Sequence, residues 1–587
     1  MNREDLIVKI CGSAGDGSIS ATEILNRAVA SMGYHIMNFD SFPAEIRGFG
    51  KSCGHTRISK NPVRTPGDKA DCLVALDDGH SISELKNLKS NGIIIYDSLP
   101  PSYRDEDTAV AGYIEPGMIG YGVPLRELST EATRSAKSRN LVSLGVIATL
   151  FNFDPDAFVR AISKRFSGKK ESVRTAVLEA FRLGQIFTSE KISKRDAIDF
   201  ERKAYPREGE YIIISGNESA AQGCLDAGIR LYAGYPITPA TKIMEILAKK
   251  LPIQEGVVVQ TEDEISAVGH VLGAGFSGTR SATATSGPGL CLMSECINLG
   301  VMAEIPMVII DCQRGGPSTG LPTKTEQSDL RIALYGASGD SPRPVIAPTT
   351  VAECHSLAMA AFEISDAYQT PVILLLDFFL SNRIEDIVPD PEGSARWGRF
   401  PDSIAKPGES PYKRYRITPS GVSPRSMPGT PELLFTATGL EHTENGRPNY
   451  DAANHKTMTD KRYAKLDALR NAWSLPEPIG DAGELDVGVI SWGSSAGSAI
   501  EAMEILRERG FRVGGWIPRL LMPLHEDALE AFAARCRCLV VTEMNHSGQF
   551  ADVIERVVHR PILRIAKVYS EPMPSDDIVR IVLGELS

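Results

Sequence analysis

YAGYPITPATKI at 232–243, TSGPG at 285–289 and QRGGPSTGLPTKTEQSDL at 313–330 each follow a short apolar run and lead into a helix-like one. Loops rich in Gly, Pro, Ser and Thr in that position make natural site walls, because ligands in open α/β sheets gather beyond the carboxyl ends of the strands. The runs IRLYA, GVVVQ, RSATAT, PMVIID, PVIAP and PVILLL alternate with helix-length segments around these loops. That alternation predicts a parallel, doubly wound sheet over 211–395.

Outward from this centre, residues 1–190 read as another α/β domain. LIVKICGSAGDG (6–17) gives a strand into a Gly-rich turn, a helix follows to Gly33, and YHIMNF, ADCLVAL and GIIIYDS are further strands. Residues 191–210 are charged and lack an apolar stripe, which predicts a linker. Residues 396–480 are rich in Pro, Ser, Arg and Gly and are expected to form an extended arm or linker. Residues 481–587 carry LDVGVISWG, FRVGGW, CRCLVVTE and ILRIAKV, the strands of a third α/β unit.

The 587 residues exceed what one core accommodates. The 63 Lys and Arg against 74 Asp and Glu leave a net charge of −11, which argues against nucleic acid or an anionic membrane as partner. The N-terminus has no apolar signal region, and PVILLLDFFL (371–380) is too short and too charged to span a bilayer, so a cytoplasmic protein is expected. Ten scattered cysteines contain one C-x-C and no C-x-x-C. Iron–sulfur clusters need closely spaced thiolates, so none is expected in this chain.

Several residues admit two readings. Thr261 and Glu264 in TEDEISAVGHVLGAG (261–275) are spaced as a capping box, which would by itself explain Glu264. The other reading is a carboxylate at the ring nitrogen of an aminopyrimidine, with Glu262 as its rival. Thr238 either caps a helix starting at Pro239 or faces a ligand. Arg314 is either an interface ion-pair partner or a planar fork for a carboxylate. Gly12, Gly15 and Gly17 are spaced G-x-x-G-x-G, the reverse of the dinucleotide fingerprint, and a plain tight turn is the simpler account. Arg47, in a loop, is either solvated or meets an anion or a neighbouring subunit. His442 and His455 lack a third ligand at zinc-like spacing, and no metal site is expected.

GYPITPATKI, EDEISAVGHVLGAGFSGTRSATATSGPG and QRGGPSTGLPTKTEQSDL, in that order, resemble the alpha subunit of 2-oxoacid:ferredoxin oxidoreductases. GSAGDG and IRGFGKSCGHTRIS resemble the gamma subunit of that family, so the whole is similar to a gamma–alpha fusion of the 2-oxoglutarate type. The resemblance implies a multidomain α/β protein. Its parts would be a gamma-like Rossmann-type domain, a thiamine-diphosphate-binding (pyrimidine-type) doubly wound domain and a C-terminal transketolase-C-like α/β domain.

It further implies that Glu264 contacts the aminopyrimidine and that Tyr235, Pro236 and Ile237 border the cofactor. Thr238 would face the reactive centre, Arg314 and Thr323 would hold the 2-oxoacid, and coenzyme A would bind near Gly12, Gly15, Gly17 or Arg47. Thiamine diphosphate would be shared with a beta subunit that carries the Mg2+ and the [4Fe-4S] cluster, with ferredoxin as electron acceptor in an (alpha-beta)2 assembly. The implied reaction is reversible, CoA-dependent oxidative decarboxylation of 2-oxoglutarate to succinyl-CoA, which run backwards fixes CO2. Pyruvate or a branched-chain or aryl 2-oxoacid is the alternative substrate. A non-catalytic assembly subunit and a plain nucleotide-binding module are the alternatives of other classes.

Overall fold

The computed structural model describes residues 5–41, 50–98, 109–200, 209–406 and 411–587. Arg47 lies outside the described residues. The backbone divides into one unit of residues 1–214 with 383–388, and a second of 215–382 with 389–587.

The first unit is built on a mixed sheet of eight strands among the described residues. Ile119–Val123, Leu88–Asp97, Ala70–Ala75 and Asp5–Ser13 run parallel. Lys51–Ser59 then lies antiparallel between Asp5–Ser13 and His35–Ser41. Ile384–Ile387 pairs antiparallel with His35–Ser41, and Ile212–Ser215 closes the order at the far edge. Asp386 ties the returning strand in place, accepting from the Ile36 N–H at 2.5 Å and pairing with His35 at 2.9 Å.

Two helices, Arg139–Leu150 and Glu171–Lys191, cross where each has a glycine. A Cβ on Gly145 would sit 2.1 Å from the Phe181 carbonyl oxygen, and one on Gly184 would sit 2.2 Å from that of Val142. Only hydrogen lets the two backbones approach so closely.

The expected linker begins as structure. Beyond Lys191 the chain folds back, burying Ile198 and Phe200, and the Phe200 N–H donates to Phe151 at 2.9 Å. The Phe200 ring packs on Phe153 and Tyr34, with centroids 5.0 and 5.5 Å apart. Aromatic burial on this scale outweighs the charged residues between, so 192–200 belongs to the first core.

The second unit carries the doubly wound sheet. Its order is Leu520–Met522, Val345–Ile346, Pro371–Asp377, Met307–Gln313, Ser281–Thr285, Leu231–Gly234, Val257–Gln260. Every pair is parallel except the edge strand Leu520–Met522. Pro371–Asp377 and Met307–Gln313 are buried along their whole length, as parallel strands covered on both faces require.

The C-terminal residues form a five-stranded sheet ordered Ile479–Gly480, Val513–Trp516, Leu485–Ser491, Cys536–Glu543, Leu563–Ala566. The segment 396–480 is not the extended arm expected. It contains the helix Ala452–Ala472, whose buried side carries Met458, Lys461, Arg462, Lys465, Leu466 and Leu469. Lys461 and Lys465 clasp the fully buried Glu304 at 2.5 and 2.7 Å. Among the described residues no helix is long and apolar enough to cross a membrane, and no cluster of His, Cys, Asp and Glu could hold a metal.

Candidate active site

Strand order reverses between Leu231–Gly234 and Ser281–Thr285, and such a reversal opens a crevice at the carboxyl ends of the strands. The loops that bear the expected residues leave from those ends. Tyr235–Thr238 follow Gly234, Ser286 follows Thr285, Arg314 follows Gln313, and Glu264 opens the helix after Val257–Gln260. The topology thus brings together Glu264, Thr238 and Arg314, residues that the sequence scatters.

Glu264 is the first residue of the helix Glu264–Phe276, but not as a capping-box partner of Thr261. The N-cap is Asp263, whose carboxylate accepts the Ser266 N–H at 2.7 Å, while the Thr261 hydroxyl donates to the Asp263 carbonyl at 2.9 Å. The capping-box account of Glu264 therefore fails. Glu264 is 7% exposed, and no donor among the described residues reaches its carboxylate. It lies against Gly289, where a Cβ would come within 2.0 Å of the Thr285 hydroxyl and 2.9 Å of Glu264 Oε1. Buried carboxylates are ordinarily paired. This one is free to meet an external donor.

Thr238 does not cap a helix either. The helix that follows is Thr241–Lys250, with Ala240 at its N-cap, and Thr238 and Tyr235 are exposed beside half-buried Pro236 and Ile237. Arg314 Nη1 donates to the Thr238 carbonyl at 2.7 Å, and Arg314 Nε is buried without an acceptor. Arg314 makes no ion pair with a described carboxylate. Burial pulls its pKa below the usual arginine value, partly offset by the charge of Asp329.

Thr323 sits half-buried on the same loop. The far end of that loop is pinned by Gln327: its N–H donates to the Met544 carbonyl at 2.7 Å, and the Met544 N–H returns to its side-chain oxygen at 2.9 Å.

Two further carboxylates line the same region, and the sequence assigned them nothing. Burial raises Asp311 well above the ordinary range, helped by the charge of Asp329. Burial and then Glu326 push Asp329 up to about 7, against the pull of Arg314 and the Gly287 backbone. The Ser286 hydroxyl is also buried and unpartnered. Nothing in TSGPG or QSDL signals that Ser286 and the Asp329 carboxylate are enclosed.

In the first unit, the turn from Asp5–Ser13 to the helix Ser18–Ser31 contains Gly12, Gly15 and Gly17, the latter two at φ 99° and 81°. Asp16 accepts the Ser13 N–H at 2.9 Å and pairs with Arg139 at 2.5 Å, and the Asn140 amide donates to the Gly17 carbonyl at 3.1 Å. His442 and His455 are held by the Leu440 carbonyl and Glu441, as ordinary loop and helix polar groups.

Residues 222–461 match the thiamine-diphosphate-binding domain of pyruvate flavodoxin/ferredoxin oxidoreductases. Residues 7–185 match the pyruvate ferredoxin/flavodoxin oxidoreductase domain, and 486–571 match pyruvate:ferredoxin oxidoreductase core domain II. The 2-oxoglutarate oxidoreductase subunit KorA of Mycobacterium tuberculosis is 33% identical over 100% of this chain and 92% of its own. The chain belongs to the 2-oxoacid:ferredoxin oxidoreductase family.

Within this family the chain is an alpha subunit with a fused N-terminal gamma-type domain. The 2-oxoglutarate synthase subunit KorA of Archaeoglobus fulgidus is 35% identical over 64% of this chain and 100% of its own. The 2-oxoglutarate:ferredoxin oxidoreductase of Magnetococcus marinus, solved with 2-oxoglutarate, coenzyme A and succinyl-CoA bound, is 36% identical, with a TM-score of 0.93 over 100% of both chains. The residues of this 2-oxoacid:ferredoxin oxidoreductase subunit fit the aminopyrimidine end of thiamine diphosphate. The buried carboxylate of Glu264 has no donor among the described residues, and the glycine beside it leaves the space a side chain would fill.

Proposed function

We propose that this subunit works in the reversible, CoA-dependent oxidation of 2-oxoglutarate to succinyl-CoA and CO2, with electrons passing to ferredoxin. The observation that carries this reading is the full-length likeness to the Magnetococcus marinus enzyme. Thiamine diphosphate, when bound, supplies the carbanion chemistry that releases CO2 from a 2-oxoacid.

Glu264 holds a proton at the aminopyrimidine ring nitrogen, a role supported by the lack of any donor to it among the described residues. Tyr235, Pro236 and Ile237 border the cofactor. The Arg314 fork, with one arm fixed by the Thr238 carbonyl, binds the carboxylate of the substrate. The hydroxyls of Thr238 and Thr323 orient the 2-oxo oxygen as it gains charge. Coenzyme A is recruited by the first unit, at the turn containing Gly12, Gly15 and Gly17. A beta subunit supplies the diphosphate and Mg2+ half of the site and the [4Fe-4S] cluster, in an (alpha-beta)2 assembly, so this chain alone is idle.

Anaerobic co-expression with the beta subunit tests the reading, with CoA-dependent ferredoxin reduction measured for 2-oxoglutarate and pyruvate in parallel. Turnover by the pair alone, faster with 2-oxoglutarate, is expected. Faster turnover with pyruvate overturns the substrate assignment, and activity from this chain by itself overturns the divided site.

A further inference from the structure

Two fully buried glutamines stand at the two ends of the loop that carries Arg314 and Thr323. A buried amide is costly unless its hydrogen bonds are made, so its partners fix where it sits. Gln313 closes the near end. Its Nε2 donates to the Leu376 carbonyl at 3.1 Å, and its Oε1 accepts the Asp329 N–H at 3.1 Å.

Gln327 holds the far end, and each of its polar groups is bonded to a C-terminal residue. Its N–H donates to the Met544 carbonyl at 2.7 Å, and its Nε2 donates to the Trp492 carbonyl at 2.9 Å. Its Oε1 accepts the Met544 N–H at 2.9 Å, and its carbonyl accepts the Asn545 amide at 3.0 Å. Trp492 and Met544 directly follow the neighbouring parallel strands Leu485–Ser491 and Cys536–Glu543. The C-terminal sheet thus uses its carboxyl end, where open α/β sheets hold ligands, to hold Gln327. Gly493, at φ 56°, makes the approach possible, because a Cβ there would lie 2.4 Å from Gln327 Nε2. Between the two glutamines the loop is tied across. The Gly315 N–H donates to the Lys324 carbonyl at 3.0 Å, and the Leu321 N–H donates to that of Gly315 at 2.8 Å.

We propose that Gln327 is a positioning residue for the 2-oxoacid, through which the C-terminal sheet fixes the loop bearing Arg314 and Thr323. This rests on the reading of those two residues as substrate contacts. An apolar side chain of similar size would fill the same space and keep the backbone bonds, so what the amide adds is direction. A loop displaced by about 1 Å or less would loosen the grip on the 2-oxoacid and leave coenzyme A unaffected.

In the assembled, cofactor-loaded complex, Gln327→Met and Gly493→Ala should each raise KM for 2-oxoglutarate roughly tenfold, with KM for coenzyme A unchanged and kcat within about twofold. Both break the same contact, so the double variant should be no worse than the more affected single one. Where one of the two does not assemble, the other decides alone. A merely structural role would lower kcat with both KM values constant, and that result overturns the proposal.

Hydrogen exchange of the same complex supplies an arm independent of the substrate. In Gln327→Met the amides of 315–326 should exchange faster, while those of the helix Ala452–Ala472 keep the wild-type rate. Unchanged exchange in the loop overturns the clamp. Faster exchange with an unchanged KM for 2-oxoglutarate overturns the positioning role where Arg314→Lys still raises that KM. Where Arg314→Lys leaves it unchanged as well, Arg314 as substrate anchor falls, and the proposal falls with it.

Discussion

Two buried glutamates in the second unit have opposite surroundings. Glu304 is fully buried, and burial alone would raise its pKa. The charges of Lys461, Lys465 and Arg414 overcome that and hold it well below the usual glutamate value. Glu264 is almost as enclosed, yet no donor among the described residues reaches it. A charge kept for stability comes with its partners in the fold, since removing water from an ion is expensive. A charge kept for chemistry leaves a place for a partner that arrives later. The same contrast separates the Gly12–Gly17 turn, whose Asp16 is internally paired, from the loops around Arg314, where buried polar atoms remain open.

That contrast can be broken by mutation. Glu264→Gln should cut turnover of the assembled complex by about a thousandfold or more, with the melting temperature of the chain unchanged. A large loss of stability instead would return Glu264 to a structural role. Glu304→Ala should do the reverse and cost about 3–5 kcal/mol in denaturant titrations, because two lysines are left buried without their anion.

Arg314→Lys should raise KM for the 2-oxoacid by roughly ten- to a hundredfold with a smaller change in kcat, since an ammonium cannot offer the paired N–H fork. An equal fall in kcat at constant KM would place Arg314 in the chemistry and not in binding.

The Glu304 knot also predicts a pH signature. Its folded carboxyl lies below the unfolded value of 4.5, so its contribution is complete above that pH and drains away as acid is added. The stability gap between wild type and Glu304→Gln should therefore narrow steadily below pH 4.5. The smallest effect is expected at the helix start. Asp263→Ala should cost about 1 kcal/mol as a lost N-cap, and Thr261→Ala should cost clearly less. Equal costs would restore the capping box.

The doubly wound sheet was legible because its strands are continuous apolar runs and its loops are marked by Gly and Pro. The site was legible residue by residue, but its convergence was not, since only strand order brings Glu264, Thr238 and Arg314 to one edge. The helix Ala452–Ala472 escaped because its buried side contains Lys461, Arg462 and Lys465, which break the apolar periodicity that reveals helices. Their burial depends on Glu304, far away in sequence. Lys51–Ser59 was hidden for a related reason. Its apolar content is little more than Cys53 and Ile58, and its place is set by strands on both sides. At the start of Glu264–Phe276, TEDE offers two rival cap spacings, and only the backbone of Asp263 decides between them.

The strand Ile384–Ile387 has a consequence for genes as well as for folding. The polypeptide passes between its two units three times: after Ile214, after Asn382 and after Val388. Nicking the peptide anywhere between the first unit and residue 383 would not free that unit as a complete sheet, because one of its ribs would still be encoded downstream. A lineage that divided this gene near residue 210 would have to deliver the rib from a second polypeptide. Until then the covalent joint holds it at an effective concentration that no separate chain needs to match.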